Sequence, residues 1–348
     1  MISPTKLSKF RELLQNSTNP LFFFDNDVDG LTAALLLRRF VDKGKGVAIK
    51  TYPDLASPYI RKLDELKPDV IFILDKPLVS DQFIEAAKKE NIKIVWMDHH
   101  PLPQNKDSVD LYLNPLDSKK PTNEPTSYWA YKITNKKEDE WIAMLGCLSD
   151  WFLPEYSKEF AKQYPGLFFD VNNPAIAMYE TQLGKLMKIL DFALKDRTSA
   201  IVNMLRLLFK VKTPYELLEE NAKTKQIFNR YRQINRRYEK LVEKGKIFAY
   251  KARDSKVVFF QYGGELSLSS PLANELFYNN PDKIIVVAYI SGTKVNVSVR
   301  GKVDVREMVA KAMQGMEGTS GGHQNSCGAM LGVEDLPQFR ENMIKFSK

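Results

Sequence analysis

Short, almost uninterrupted apolar runs alternate with helical patterns through the first hundred residues. Leu21–Phe24 reads as a strand, and Gly30–Lys43 as a helix with apolar residues three and four apart. Val47–Tyr52 reads as a second strand and Tyr59–Leu66 as a helix. Val70–Leu74 is a third strand, Asp81–Glu90 a helix, and Ile92–Met97 a fourth strand. A strand with no polar alternation has no solvent face. Such strands separated by helices predict a parallel sheet covered on both sides.

Acidic residues follow these strands. Asp25 comes after the first, Asp75 after the third, and Asp98-His99-His100 after the fourth. Ligands of open α/β sheets bind beyond the carboxyl ends of the strands, so three strands deliver carboxylates or imidazoles to one edge. A lone Asp after a strand is usually a turn residue or helix N-cap, and Asp29 before Gly30 fits that reading. Histidine is scarce: His99, His100 and His323 are the only three. Two sit among carboxylates and the third among glycines, settings that suit a metal ligand or proton carrier.

From about Tyr128 the pattern turns helical. Glu138–Trp151 ends an apolar helix at Asp150, a buried-looking carboxylate that needs a partner, a metal being one candidate. Residues 152–175 read as a loop or insertion. Residues 176–245 read as mostly helical, with a packing seam along Ile227, Tyr231, Ile234, Tyr238 and Leu241. Arg230, Arg232, Arg236, Arg237 and Lys240 decorate the same helix, as a solvated face or as a strip that touches nucleic acid. Beyond Gly245, Lys256–Tyr262 is a strand, and Lys283–Tyr289 and Lys294–Arg300 form a hairpin around Ser291-Gly292. A helix over Val305–Gln314, a glycine-rich loop around His323 and a helix after Val333 complete the chain. The expected division is a parallel-sheet α/β domain over 1–175, a helical connector over 176–245 and a smaller α/β domain over 246–348.

The chain has 348 residues, of which 44% are hydrophobic, enough for two domains with sizeable cores. No run approaches the roughly 20 apolar residues of a membrane span, and the N-terminal residues lack the pattern of a signal peptide. Cys147 and Cys327 show no metal-type spacing, which fits a reduced, cytoplasmic protein. The formal net charge of +8 attracts polyanions.

The motifs then resemble those of a known superfamily. Asp25-Asn26-Asp27-Val28-Asp29-Gly30 is similar to the DxDxDG first motif of DHH phosphoesterases. Asp75 resembles the second motif, Asp98-His99-His100 the third, and Asp150 the fourth. Asn114-Pro115 matches a connecting element. Gly321-Gly322-His323 through Gly328 resembles the GGHxxAxG segment of the associated DHHA1 domain, with Ser326 in place of Ala, and Arg300 matches a phosphate-binding position. The resemblance implies an α/β fold with an N-terminal parallel-sheet DHH domain, a helical connector and a C-terminal DHHA1 domain that binds substrate. One departure stands out: Leu21 and Phe23 are apolar where RecJ-like and NrnA-like members place a histidine, which leaves one metal site short of a ligand or with water in its place.

The resemblance implies two divalent ions, Mn²⁺ first and Mg²⁺ as the alternative, held by Asp25, Asp27, Asp75, His99 and Asp150 with Asp75 bridging. Two such ions about 3.5–4 Å apart activate water and clamp phosphoryl oxygens. Asp98 is expected to orient a ligand and His100 to face the phosphate, with both counted in the catalytic set. Arg300, Gly321, Gly322 and His323 are expected to hold a substrate phosphate. The leading expectation is a RecJ-like exonuclease or NrnA-like oligonucleotide phosphodiesterase acting on single-stranded DNA or RNA from an end. The alternatives are an enzyme for cyclic or very short dinucleotides, a pyrophosphatase, and a non-catalytic scaffold in a replication or repair assembly. No membrane partner is expected, and a homo-oligomer or a replication or repair partner stays open.

Overall fold

A computed structural model describes residues 1–51 and 54–347. The chain divides into two compact units, Met1–Arg232 and Gln233–Lys348.

The first unit opens with α1 (Pro4–Asn16), β1 (Pro20–Asp25), α2 (Val28–Val41) and β2 (Lys45–Ile49). Next come the two-residue strand β3 (Asp54–Leu55), α3 (Arg61–Leu66), β4 (Val70–Leu74) and a second two-residue strand, β5 (Leu78–Val79). They are followed by α4 (Asp81–Lys89), β6 (Lys93–Met97) and β7 (Leu111–Leu113). The main sheet has the order β2-β1-β4-β6-β7 and is parallel throughout, while β3 pairs with β5. All five residues of β4 are buried, as an uninterrupted apolar strand with a layer on each face requires. One face packs Phe22, Phe24, Phe72 and Leu74 against α2 and the helices that follow. The other packs Phe23, Ile71, Ile73 and Trp96 beneath Phe83 and Ile84 of α4. The parallel α/β expectation is met. The second expected strand begins two residues early, at Lys45, and its last expected residue, Tyr52, lies outside the described residues.

Helices α5 (Thr126–Thr134), α6 (Glu140–Ser149), α7 (Ser157–Gln163), α8 (Pro174–Glu180), α9 (Gln182–Leu194) and α10 (Thr198–Leu208) complete this unit. The stretch expected to be loop contains α7, whose Phe160 and Ala161 enter the core. Helix α11 (Lys225–Lys251) carries the expected seam. Ile227, Ile234 and Tyr238 on it are buried. No described helix is long and apolar enough to cross a membrane.

The second unit holds β8 (Val257–Gly263), α12 (Ser269–Asn279), β9 (Ile284–Ser291), β10 (Lys294–Arg300), α13 (Val305–Ala312), β11 (Gly318–His323), β12 (Ser326–Gly332) and α14 (Leu336–Phe346). Its sheet runs β11-β12-β10-β9-β8, with only the β8–β9 pair parallel. Here the sequence expectation is corrected. The glycine-rich stretch before His323 is not a loop but an exposed edge strand, paired with β12 from Gly318↔Leu331 to His323↔Ser326. Glycine favours turns by propensity, but the tertiary pairing with β12 overrides it.

Candidate metal centre and phosphate site

The turn from β1 into α2 places the first acidic group. Asp27 is the N-cap of α2, and its Oδ1 accepts the Gly30 N–H at 2.9 Å. A side chain at Gly30 would bring Cβ within 2.7 Å of the Asp25 carbonyl oxygen, so the tight turn needs glycine. Asp29 does not cap its own helix. It is fully buried, and its two oxygens accept the N–H groups of Thr126 at 2.8 Å and Ser127 at 2.9 Å. A carboxylate thus meets the positive end of α5, where the helix dipole favours it.

The ends of β4 and β6 supply the next groups. Asp75 follows β4 with a left-handed backbone, φ 57°. His99 follows β6, and its Nε2 lies 3.4 Å from Asp75 Oδ1 and 3.1 Å from Oδ2 of Asp150, the C-cap of α6. Ligand-type atoms of Asp75, His99 and His100 all fall within 4.8 Å of one another, and so do those of Asp29, His99 and Asp150. His100 is turned by its neighbour: Nδ1 lies 2.8 Å from Asp98 Oδ1, and its backbone N–H donates to Asp98 Oδ2. Asn114 fixes this loop by donating to the His100 carbonyl at 2.9 Å.

The electrostatics call for a cation. Burial, joined by repulsion from Asp75, Asp25 and Asp150, pushes the Asp27 carboxyl well above its ordinary range. Burial with repulsion from Asp75 and Asp150 does the same to Asp29. Burial also works against ionised Asp75, but the hydrogen bond and charge of His99, aided by His100, hold it at about 2. For His100, burial opposes the charged form, and the Asp98 carboxylate more than compensates, lifting it to about 9. The donor set of carboxylates around one buried imidazole nitrogen fits a divalent ion bound by oxygen and nitrogen. His99 Nδ1 is buried without a hydrogen-bond partner among the described residues, and Nε2 is the nitrogen that engages the cluster.

Asp25, which feels the charge of Asp75, has a cation of its own. The ammonium of Lys76 donates to Asp25 Oδ1 at 2.8 Å and to the Thr51 carbonyl at 2.6 Å. The Lys76 side chain has 0% exposure. Leu21 and Phe23, where the resemblance expects a histidine, are buried in the apolar layer of the sheet.

The second unit brings its candidates together at one end of its sheet. Arg300 of β10 and His323 of β11 both pair in register with Ser326 of β12, which lies between them. The Arg300 guanidinium donates to Asn274 Oδ1 and Ser270 Oγ of α12. Gly322 has φ 141°, and a Cβ there would meet the Ser326 carbonyl oxygen at 2.4 Å, so the hairpin itself requires this glycine.

Family models match both ends of the chain: the DHH family, N-terminal domain, over residues 21–149, and the DHHA1 domain over residues 254–348. The chain belongs to the DHH/DHHA1 superfamily. No curated protein sequence matches it significantly. Among solved structures, RecJ from Thermus thermophilus in complex with Mn²⁺ is similar, with a TM-score of 0.68 at 13% identity. That likeness covers 100% of this chain and 55% of RecJ, so the chain spans about half of that relative's length. The DHH domain of a member of the s1p family of ribosomal proteins gives a TM-score of 0.70 at 14% identity, covering 98% of this chain and 91% of the other. An exonuclease RecJ bound to manganese gives 0.58 at 15% identity, covering 98% and 94%. At these identities the likeness establishes the fold.

Of the five ligands expected in the DHH domain, the structure brings together Asp75, His99 and Asp150. Asp27 stands beside them, capping α2 through Oδ1 while its side chain also hydrogen-bonds to Asp75, and Asp25 lies close enough to feel the Asp75 charge but is paired with Lys76. Asp98 orients His100 rather than His99. Sequence reasoning misses two participants. Asp29 reads as a local turn residue, and Lys76 carries no signal beyond its place directly after Asp75. On α11, Arg230 donates to the Lys195 carbonyl at 2.9 Å, Arg232 pairs with Glu220, and Arg237 lies 3.2 Å from Glu265, so three of the five basic residues expected to form a strip have protein partners.

Proposed function

We propose that this chain is a divalent-metal phosphodiesterase that shortens single-stranded DNA or RNA from an end. The observation that carries the reading is the convergence of His99 Nε2 with the Asp75 and Asp150 carboxylates at the carboxyl edge of a parallel sheet. Asp29 completes this cluster, and Mn²⁺ suits its mixed oxygen and nitrogen donors, with Mg²⁺ as the alternative. When bound, the ion supplies charge relief at phosphoryl oxygens and activation of water. The chain's own residues supply the rest. His100, held by Asp98, offers its remaining ring nitrogen to a phosphate or to a leaving oxygen. We assign the anchoring of a neighbouring phosphate to Arg300 and His323 of the DHHA1 domain, since a guanidinium fork matches phosphate oxygens, with Gly321 and Gly322 on the same strand. The formal charge of +8 favours a polyanionic substrate. The RecJ likeness supports a nucleic-acid substrate through the name of that relative, an exonuclease. We place such an enzyme in the cytoplasm, as a soluble nuclease of DNA or RNA turnover.

End-labelled single-stranded DNA and RNA incubated with Mn²⁺ test this reading. A ladder of products one nucleotide apart, abolished by a chelator, is the expected result. Absence of cleavage on every strand, or full turnover in excess chelator, would overturn it. A second reading, a non-catalytic scaffold that meets a replication or repair partner, draws support from one observation: the Lys76–Asp25 pair engages a position where the family places a metal ligand. Absence of cleavage together with absence of Mn²⁺ binding would select it.

A further inference from the structure

Lys76 is buried completely, yet it is a cation. Its side chain has 0% exposure, and its ammonium is fixed by Asp25 Oδ1 at 2.8 Å and the Thr51 carbonyl at 2.6 Å. Its backbone is fixed too: the Lys76 carbonyl accepts the indole N–H of Trp96 at 2.8 Å, and the preceding Asp75 N–H donates to the Met97 carbonyl at 2.9 Å. Neighbouring strands therefore hold both ends of this residue.

An ammonium taken out of water needs a compensating charge, and removing that partner is strongly destabilising. Asp25 is the carboxylate that provides it. A divalent ion that took Asp25 as a ligand would draw on the same carboxylate that offsets the buried lysine. It would also lie within a few ångströms of a fixed positive charge, where repulsion is strong. The same side of the site has no imidazole to offer, because Leu21 and Phe23 are packed into the apolar layer. Phe23 meets Phe83 edge-on, with ring centroids 5.4 Å apart. Around His99 the balance is reversed. Asp75, Asp150 and Asp29 surround His99 Nε2 with carboxylates.

We propose that this site takes up one divalent ion, at the His99–Asp75–Asp150 cluster, and that the buried Lys76 ammonium supplies the positive charge that a second ion would bring beside Asp25. Lys76 is a positioning residue in this account. It touches Asp25, not substrate, and its charge acts on the site through that carboxylate. The inference rests on the metal-binding part of the reading above and replaces the expected pair of ions with one ion and one lysine.

The test counts ions on the full chain. Mn²⁺ titration by calorimetry and native mass spectrometry should give one ion per chain for the wild type. Its low-temperature paramagnetic resonance spectrum should be that of an isolated Mn²⁺, without exchange coupling. Lys76→Arg should keep one ion. Lys76→Met, which fills the same space without charge, should release Asp25 and raise the count to two, with a coupled spectrum. Two coupled ions in the wild type would overturn the inference and leave the phosphodiesterase reading standing. One ion in both wild type and Lys76→Met would also overturn it, because Lys76 would not be what excludes the second. If Lys76→Met fails to fold, the wild-type count still decides. No bound Mn²⁺ in the wild type would overturn both readings.

Discussion

Asp98 holds His100 twice, with Oδ1 2.8 Å from the ring Nδ1 and Oδ2 accepting the backbone N–H at 3.0 Å. The two contacts fix both the ring and the loop that carries it, and they do not involve the ring's Nε2. Partners that orient a working imidazole are typically worth about 10–100-fold in activity. Asp98→Ala should therefore lower kcat by about that factor, with KM and Mn²⁺ affinity nearly unchanged. Steady-state kinetics on a single-stranded oligonucleotide, paired with calorimetry, check it. An unchanged kcat would remove His100 from the reaction.

Asp75 and His99 are expected to behave differently from Asp98, because both lie in the ligand cluster itself. Asp75→Ala and His99→Ala should each lose detectable Mn²⁺ binding and at least about 100-fold in activity. The circular dichroism spectrum should stay native. Retention of more than a few per cent of activity by Asp75→Ala would contradict its assignment as a ligand.

Arg300 and His323 flank Ser326 in the second unit, in a different structural unit from the His99–Asp75–Asp150 cluster. Loss of one charge-assisted hydrogen bond costs about 1.5–3 kcal/mol, or roughly 10–150-fold in binding. Arg300→Ala and His323→Ala should raise KM by that order while the calorimetric Mn²⁺ isotherm stays as in the wild type. Arg300 is tied to α12 through Asn274 and Ser270. Melting temperatures therefore need to be compared alongside, with Arg300→Lys as the milder control. Loss of the metal in either alanine variant would break the assignment.

Far from the site, Asp69 sits on the turn between α3 and β4, and its carboxylate accepts Ser17 Oγ, both donors of Thr18 and the Asn19 N–H. Burial works against its charged form, but these hydrogen bonds prevail and hold it at about 2, below the ordinary carboxylate value of 3.8. A depressed folded value stabilises the fold above the ordinary value, and the gain vanishes as pH falls through the folded one. The contribution should be full at pH 5 and above and disappear between about pH 4 and pH 2. Allowing for solvent screening, it is on the order of 1 kcal/mol. Urea denaturation of the wild type and Asp69→Asn should differ by that amount at pH 7 and converge near pH 2. A difference that persists at low pH would mean the hydrogen bonds act independently of charge.

What the sequence reveals follows from how local each signal is. Strands β1, β4 and β6 are legible almost to the residue, because a strand buried on both faces admits only apolar side chains and its ends show as the first polar residue. The three-residue β7 and the seven-residue α7 are not, since neither is long enough to display a period. Asp75, His99 and Asp150 can be named because each ends an apolar element. Asp29 cannot, because an aspartate before a helix looks the same whether it caps that helix or reaches the N-terminus of α5, 97 residues on. Lys76 is silent for a similar reason: its partner Asp25 is 51 residues away, and only the pairing of β1 with β4 brings them together.

Among the described residues, six other than glycine adopt a left-handed backbone, and two of them belong to this site: Asp75 at φ 57°, and Trp151 at φ 59°, directly after Asp150. Such conformations cost about 1–3 kcal/mol in residues with bulky side chains and persist only where the surroundings enforce them. At Asp75, glycine would relax the backbone but would also remove the carboxylate that His99 and His100 hold ionised. Its loss alone would leave both imidazoles without that counter-charge. A lineage that kept the fold but no longer needed the cluster should therefore lose Asp75 together with His99, not ahead of it.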